Sequence, residues 1–171
     1  MSKVQVHKMA EGSISTLALS QEIAEMFEGV SKRAFELFQD RGSTPGHDLD
    51  DWFRAERDMV WTPPLDLIET ETQFKLRLAA SGYDASQIKV SALPDAIVVT
   101  AKAQHEARRQ VGTVHIRELG SRRLFRRVEL PSTIDVGKVT ASLDDGVLRL
   151  VMGKSELAGA RRQAVSDRAA A

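Results

Sequence analysis

The chain contains no cysteine, which excludes disulfides and thiolate metal sites. It has no excess of either charge: 24 Lys and Arg stand against 24 Asp and Glu, so no global basic field gathers nucleic acid. It has no run near the ~18 apolar residues of a membrane span. Its opening, Met1-Ser2-Lys3-Val4-Gln5-Val6-His7-Lys8, lacks the apolar centre of a signal peptide. A cytoplasmic protein with neither membrane nor nucleic-acid partner is expected. Signs of catalysis are missing too. Gly112 and Gly120 form no phosphate-binding fingerprint. His105 and His115 stand without a serine or cysteine nucleophile motif. His47 with Asp48, Asp50 and Asp51 matches neither tetrahedral zinc nor an EF-hand. Asp144-Asp145 reads as a turn. No enzyme, metal or cofactor is expected.

What is present suits a folded chain. Hydrophobic residues make up 42% of 171 residues, enough for one domain with a real core and extra segments. Three zones differ in pattern: 1–61 reads helical, 62–153 reads as strands, and 154–171 is a polar tail rich in alanine and arginine. Leu19, Ile23, Met26, Phe27, Val30, Ala34, Leu37 and Phe38 recur at helical spacing and predict a helix over about 20–39, with Ser20 as N-cap. Gly42 and Pro45 end it. A shorter helix is expected after Asp48, with acidic residues in its first turn. Its apolar side would hold Leu49, Trp52, Phe53, Met59 and Val60, and Pro63-Pro64 would close it.

The period then changes to two. Phe74-Lys75-Leu76-Arg77-Leu78 and Gln87-Ile88-Lys89-Val90-Ser91 alternate, as half-buried strands do. Residues 96–101, 126–130, 138–143 and 147–152 follow, and Arg122 to Arg127 reads as a solvated or paired strand face. Ala141-Ser142-Leu143-Asp144-Asp145-Gly146-Val147-Leu148-Arg149-Leu150 is a hairpin around a tight Asp-Gly turn. Closely spaced short strands predict an antiparallel β-sandwich.

Residues 62–153 resemble the α-crystallin domain of small heat-shock proteins. The likeness rests on Pro64 to Glu69, on Phe74 to Leu78 followed by Ser81-Gly82-Tyr83-Asp84, on Leu124-Phe125-Arg126, on Leu130-Pro131, and on the spacing Ala141, Gly146, Val147, Leu148. Ser81-Gly82 stands where the family usually has Pro-Gly. The resemblance implies a mainly β fold, an immunoglobulin-like sandwich preceded by two helices, which dimerises. It implies no chemistry, but an ATP-independent chaperone that holds unfolded or partly unfolded proteins. Residues 33–42 and 46–56 also resemble a short two-helix bacterial module of unknown function, which implies two packed helices and no activity.

The resemblance further implies three surfaces. Residues 102–123 would carry a strand at 113–118, with Val114 and Ile116, that crosses to a partner's sheet, and Glu118 would pair with Arg126 between subunits. A groove between the strands holding Ile88 and Val90 and those holding Val139, Ala141 and Leu143 would accept an Ile-x-Ile-like segment. The C-terminal tail has no such triplet, whereas Val4-Gln5-Val6 has the alternating form that can add to an edge and fill two pockets. Client contact would fall to apolar helical residues: Leu17, Leu19, Ile23, Met26, Phe27, Val30, Phe35, Leu37, Phe38, Trp52, Phe53 and Met59. Packing of the two helices on each other or across a dimer accounts for the same residues. An adaptor that binds one specific partner is the alternative function.

Overall fold

The computed structural model describes residues 1–9, 14–102 and 123–155. Strands β1 (Ser2–Lys3) and β2 (Val6–Lys8) come first. Helices α1 (Ile14–Asp40) and α2 (Asp48–Met59) follow, then a short strand β3 (Val60–Trp61). The sandwich is built from β4 (Leu65–Glu69), β5 (Gln73–Ala79), β6 (Ile88–Ala92), β7 (Ala96–Lys102), β8 (Arg123–Glu129), β9 (Ile134–Asp144) and β10 (Val147–Lys154).

Two sheets result, ordered β1-β9-β10-β5-β4 and β2-β6-β7-β8-β3. Pairing is antiparallel except at the edges of the second sheet, where β2 joins β6 and β3 joins β8 in parallel. Period-two patterning explains the layers. Phe74, Leu76 and Leu78 turn inward, Lys75 and Arg77 outward. Their inward partners Leu148, Leu150 and Met152 lie opposite them, and all six are essentially fully buried. Ile88, Val90, Ile97, Val99 and Leu124 close the core from the other sheet.

The signature hairpin owes its register to a two-residue turn. Asp145 and Gly146 both have positive φ, 48° and 69°, the backbone of a turn whose twist matches that of its strands. Gly146 also lies against the preceding loop: its carbonyl accepts from the Ala80 N–H at 2.7 Å.

The helices correct several expectations. The first begins at Ile14, so Ser20 lies inside it rather than capping it. The first zone is not wholly helical, since it also carries β1, β2 and β3. Gly42, with φ 86°, ends α1 in a paired C-terminal motif: Ser43 N–H donates to Phe38 and Gly42 N–H to Gln39. The second helix stops at Met59, before the prolines, because Val60 turns extended and joins β8. Its N-terminal residue His47 makes no side-chain cap. Leu49 and Phe53, expected on the packed side, are 70% and 50% exposed. The face that packs holds Ala55, Trp52 and Met59 against Val30, Ala34 and Leu37.

Asp51 is buried in that interface and binds Arg41, with Nη2 to Oδ2 at 2.8 Å and Nε to Oδ2 at 2.9 Å. The Arg41 guanidinium also lies 5.2 Å above the Phe38 ring. Its pKa is raised above the ordinary arginine value, first by the hydrogen bond to Asp51 and further by its charge, while partial desolvation opposes the shift. Arg41 therefore keeps its charge throughout the working pH range.

Two glycines should respond oppositely to alanine. At Gly146 a Cβ would sit 2.9 Å from Ser81 Oγ and 3.3 Å from its Cα, on a backbone of positive φ; Gly146→Ala should cost about 1–3 kcal/mol in urea unfolding. At Gly29 the nearest atom is the end of a flexible side chain, Met59 Cε at 3.1 Å. There the helix gains about 1 kcal/mol from alanine, and thermal melting should be unchanged or raised.

Candidate interaction surfaces

A two-layer sandwich leaves a seam where the edge strands of its layers part. Here the seam lies between β6 and β9, lined by Ile88, Val90, Val139 and Ala141, all buried, and by the half-buried Leu143. The N-terminal strap runs along it and pairs with both sides. Ser2 and Lys3 face Leu143 and Ser142, the Val4 N–H donates to the Ala141 carbonyl at 3.1 Å, and Val6 faces Val90. Val4 is 2% exposed and belongs to the sandwich core, with Val6 packed against it. Met9, which its sequence does not single out, is buried where its N–H reaches the Ala92 carbonyl at 2.9 Å. Lys8 Nζ ties the strap to the Gly137 carbonyl.

The second surface is the helical pair. The twelve apolar positions expected to contact clients divide by burial. Val30 and Leu37 are 3% and 7% exposed, so they belong to the interface between helices and not to an open surface. Leu19, Ile23, Met26, Phe38, Trp52 and Met59 are half-buried. Leu17, Phe27, Phe35 and Phe53 are half exposed or more. Phe27 lies 6.2 Å from Trp52 and Phe35 stacks on Phe38 at 6.0 Å, centroid to centroid. Between these rings an open groove of about 360 Å³ carries Phe35, Phe38 and Trp52 on its walls, with Asp48 and Asp51 beside them.

The helical pair reaches the sandwich through polar contacts. Glu22 binds Lys89 and accepts from the Thr100 hydroxyl, and Glu25 lies 3.9 Å from Lys102. Ile23 and Met26 face Leu124 and Phe125 across a cavity of about 230 Å³. The stretch of α1 from Glu22 to Met26 thus lies over one end of the β6-β7-β8 layer without sealing it.

Arg126 lies on β8, and its Nε is buried without a hydrogen-bond partner among the described residues. Val114, Ile116 and Glu118, like His105, His115 and the tail beyond Ser155, lie outside the described residues. No metal-binding cluster occurs among the described residues, and no helix there is long and apolar enough to cross a membrane. Two elements of this site escaped sequence reasoning. Asp51 carries no local mark that separates it from Asp48 and Asp50. Met9 lies outside the alternating Val-x-Val.

Comparison with known proteins places these features. Residues 66–165 match the Hsp20/alpha crystallin family, and residues 28–59 match a family described as a protein of unknown function, DUF2934. The chain is 34% identical to a peroxisomal 16.0 kDa heat shock protein of Oryza sativa subsp. japonica over 61% of its own length and 73% of the relative. It is 23% identical to small heat shock protein C4 of Rickettsia felis, over 63% and 66%. The fold is similar to that of heat shock protein 16.0 from Schizosaccharomyces pombe, with a TM-score of 0.50 at 17% identity, covering 56% of this chain and 89% of that one.

The burial of Val4 generates a test. Val4→Asp with Val6→Asp places two carboxylates in an apolar seam, at several kcal/mol unless the strap leaves it. Hydrogen exchange should accelerate at least tenfold in residues 2–9 and along β9, while β5 and β10 keep their protection.

Proposed function

Because the chain belongs to the Hsp20/alpha crystallin family, we propose that it is an ATP-independent holdase that binds unfolding proteins and keeps them from aggregating. In this reading residues 62–153 are the α-crystallin domain, residues 1–61 the client-binding arm and the strap, and residues 154–171 a solubilising tail. The protein binds and does no chemistry. In this reading its place of work is the cytoplasm.

One observation carries the proposal: Phe27, Phe35 and Phe53 are 56%, 58% and 50% exposed on a helical pair attached to a well-filled sandwich. Large apolar side chains left in water are a binding surface held in reserve. Each is worth about 1.5–3 kcal/mol when buried, and the ordering of a captured chain takes back part of this sum. The balance favours capture that remains reversible. Leu19, Ile23, Met26, Phe38 and Trp52 extend the surface, and Val30 and Leu37 join it only when the helices part.

The working unit is a homodimer. Strand β4 ends its sheet without a neighbour among the described residues, and Ile68 on it is 49% exposed. An unpaired edge of this kind is a template for another strand. Residues 113–118 of a partner, with Val114 and Ile116, supply it, and Glu118 meets Arg126, whose Nε has no partner among the described residues. Val4 and Val6 fill the groove that tails enter elsewhere in the family, which limits assembly through that route.

At near-stoichiometric ratio the protein should keep two unrelated heated proteins in solution, and Phe27→Ser with Phe35→Ser and Phe53→Ser should weaken this several-fold without changing the circular dichroism. Failure of the parent protein to suppress either aggregation, with one partner retained in a pull-down, would instead identify an adaptor. For the dimer, a double-mutant cycle on Glu118→Gln and Arg126→Gln should show coupling of about 1 kcal/mol or more in dissociation. Strict additivity would reject the pair.

A further inference from the structure

We propose that the outer face of the β1-β9-β10-β5-β4 sheet is a docking surface for the α2 helix of a second copy of this chain. The registers place the outward side chains of this sheet in rows. One row reads Lys3, Ser142, Arg149, Arg77, Asp66 from strand to strand. The next reads Thr140, Val151, Lys75, Ile68. Arg77 and Arg149 are thus directly opposed, an arrangement that like charges disfavour. Arg149 has Asp144 at 3.9 Å, a carboxylate that also lies 3.5 Å from the N-terminal ammonium. The Arg149 Nε is buried and lacks a hydrogen-bond partner among the described residues. Beside this basic band Ile68 and Val151 are 49% and 37% exposed. The face therefore asks for an acidic partner with apolar side chains.

The same chain supplies one. Between Ile14 and Trp61, Asp and Glu number ten and Lys and Arg five. On α2, Leu49 and Phe53 stand one helical turn apart and are 70% and 50% exposed. Asp50 and Glu56, both exposed, flank that stripe, which ends at the exposed Arg57 one turn beyond Phe53. The dimensions agree as well. A helix of 12 residues is about 18 Å long, and five strands at about 4.8 Å spacing span about 19 Å.

The contact cannot form within one chain. The helical pair is joined to the opposite layer, through Glu22 to Lys89 and Thr100 and through β3 beside β8. The whole thickness of the sandwich separates it from the basic face. The helix and the sheet face are different patches, so the interface is heterologous, and each copy carries both halves. Dimers linked in this way grow into larger assemblies without a C-terminal anchor. Phe53 is also one of the client-contact residues proposed above, so the charge-reversed variants, which leave Phe53 in place, test the docking apart from client binding.

The test is the mass of the full-length protein by light scattering at low ionic strength. The parent should exceed a dimer, and 0.5 M salt should lower its mass, since screening weakens exposed charge contacts. Arg77→Glu with Arg149→Glu, and separately Asp50→Lys with Glu56→Lys, should each reduce the mass by half or more while the circular dichroism stays parental. Leu49→Ser with Phe53→Ser should do the same without touching charge. An equimolar mixture of the two charge-reversed proteins should regain the parental mass, because each then offers the other a complementary surface. A parent that is no larger than a dimer, variants that keep the parental mass, or a mixture that stays as small as its components would overturn the proposal.

Discussion

The seam between β6 and β9 governs much of this molecule. A sandwich that is not closed into a barrel must leave apolar side chains and backbone groups along its open side, and both are costly to expose. Val4 answers both needs. Its side chain enters the core and its N–H reaches the Ala141 carbonyl. The residues around it extend one sheet with β1 and the other with β2. Because the strap is part of the chain, it acts at high effective concentration and needs no neighbour to supply it.

The helical pair follows a different logic. Its core is small, formed by Val30, Leu37 and Ala55 with partly covered neighbours, and the Arg41 to Asp51 pair fixes how the helices meet. Its tie to the sandwich runs through glutamates on lysines and through the two-residue strand β3 beside β8. Elements with few buried apolar contacts open at lower free energy than a domain core. The division places a well-filled sandwich beside helices that expose aromatic rings.

Charge is segregated in the same way. The chain is neutral as a whole, yet the helical segment is acidic while one sheet face carries Lys3, Lys75, Arg77 and Arg149. Neutrality therefore conceals surfaces of opposite sign that lie on opposite sides of the molecule. A single summed charge describes no partner, since recognition is read at the scale of a patch.

Period-two alternation made β5 and β6 legible, because a strand with one buried face writes its burial directly into neighbouring residues. Asp145-Gly146 marked the hairpin for an equally local reason, the need for positive φ at both positions. The helix end at Gly42 was of the same kind. Ile14 as the start of α1, the burial of Asp51 and the exposure of Phe53 were not legible. They depend on which side of each helix meets the other, and Leu49, Trp52 and Phe53 are alike in a list of apolar residues. The alternating Val4-Gln5-Val6 told of an extended segment, but its place in this chain's own seam arose from the meeting of β6 and β9, strands far apart in sequence. Local backbone and solvent preferences set the elements, while contacts between distant residues chose which of their faces to cover and which to leave in water.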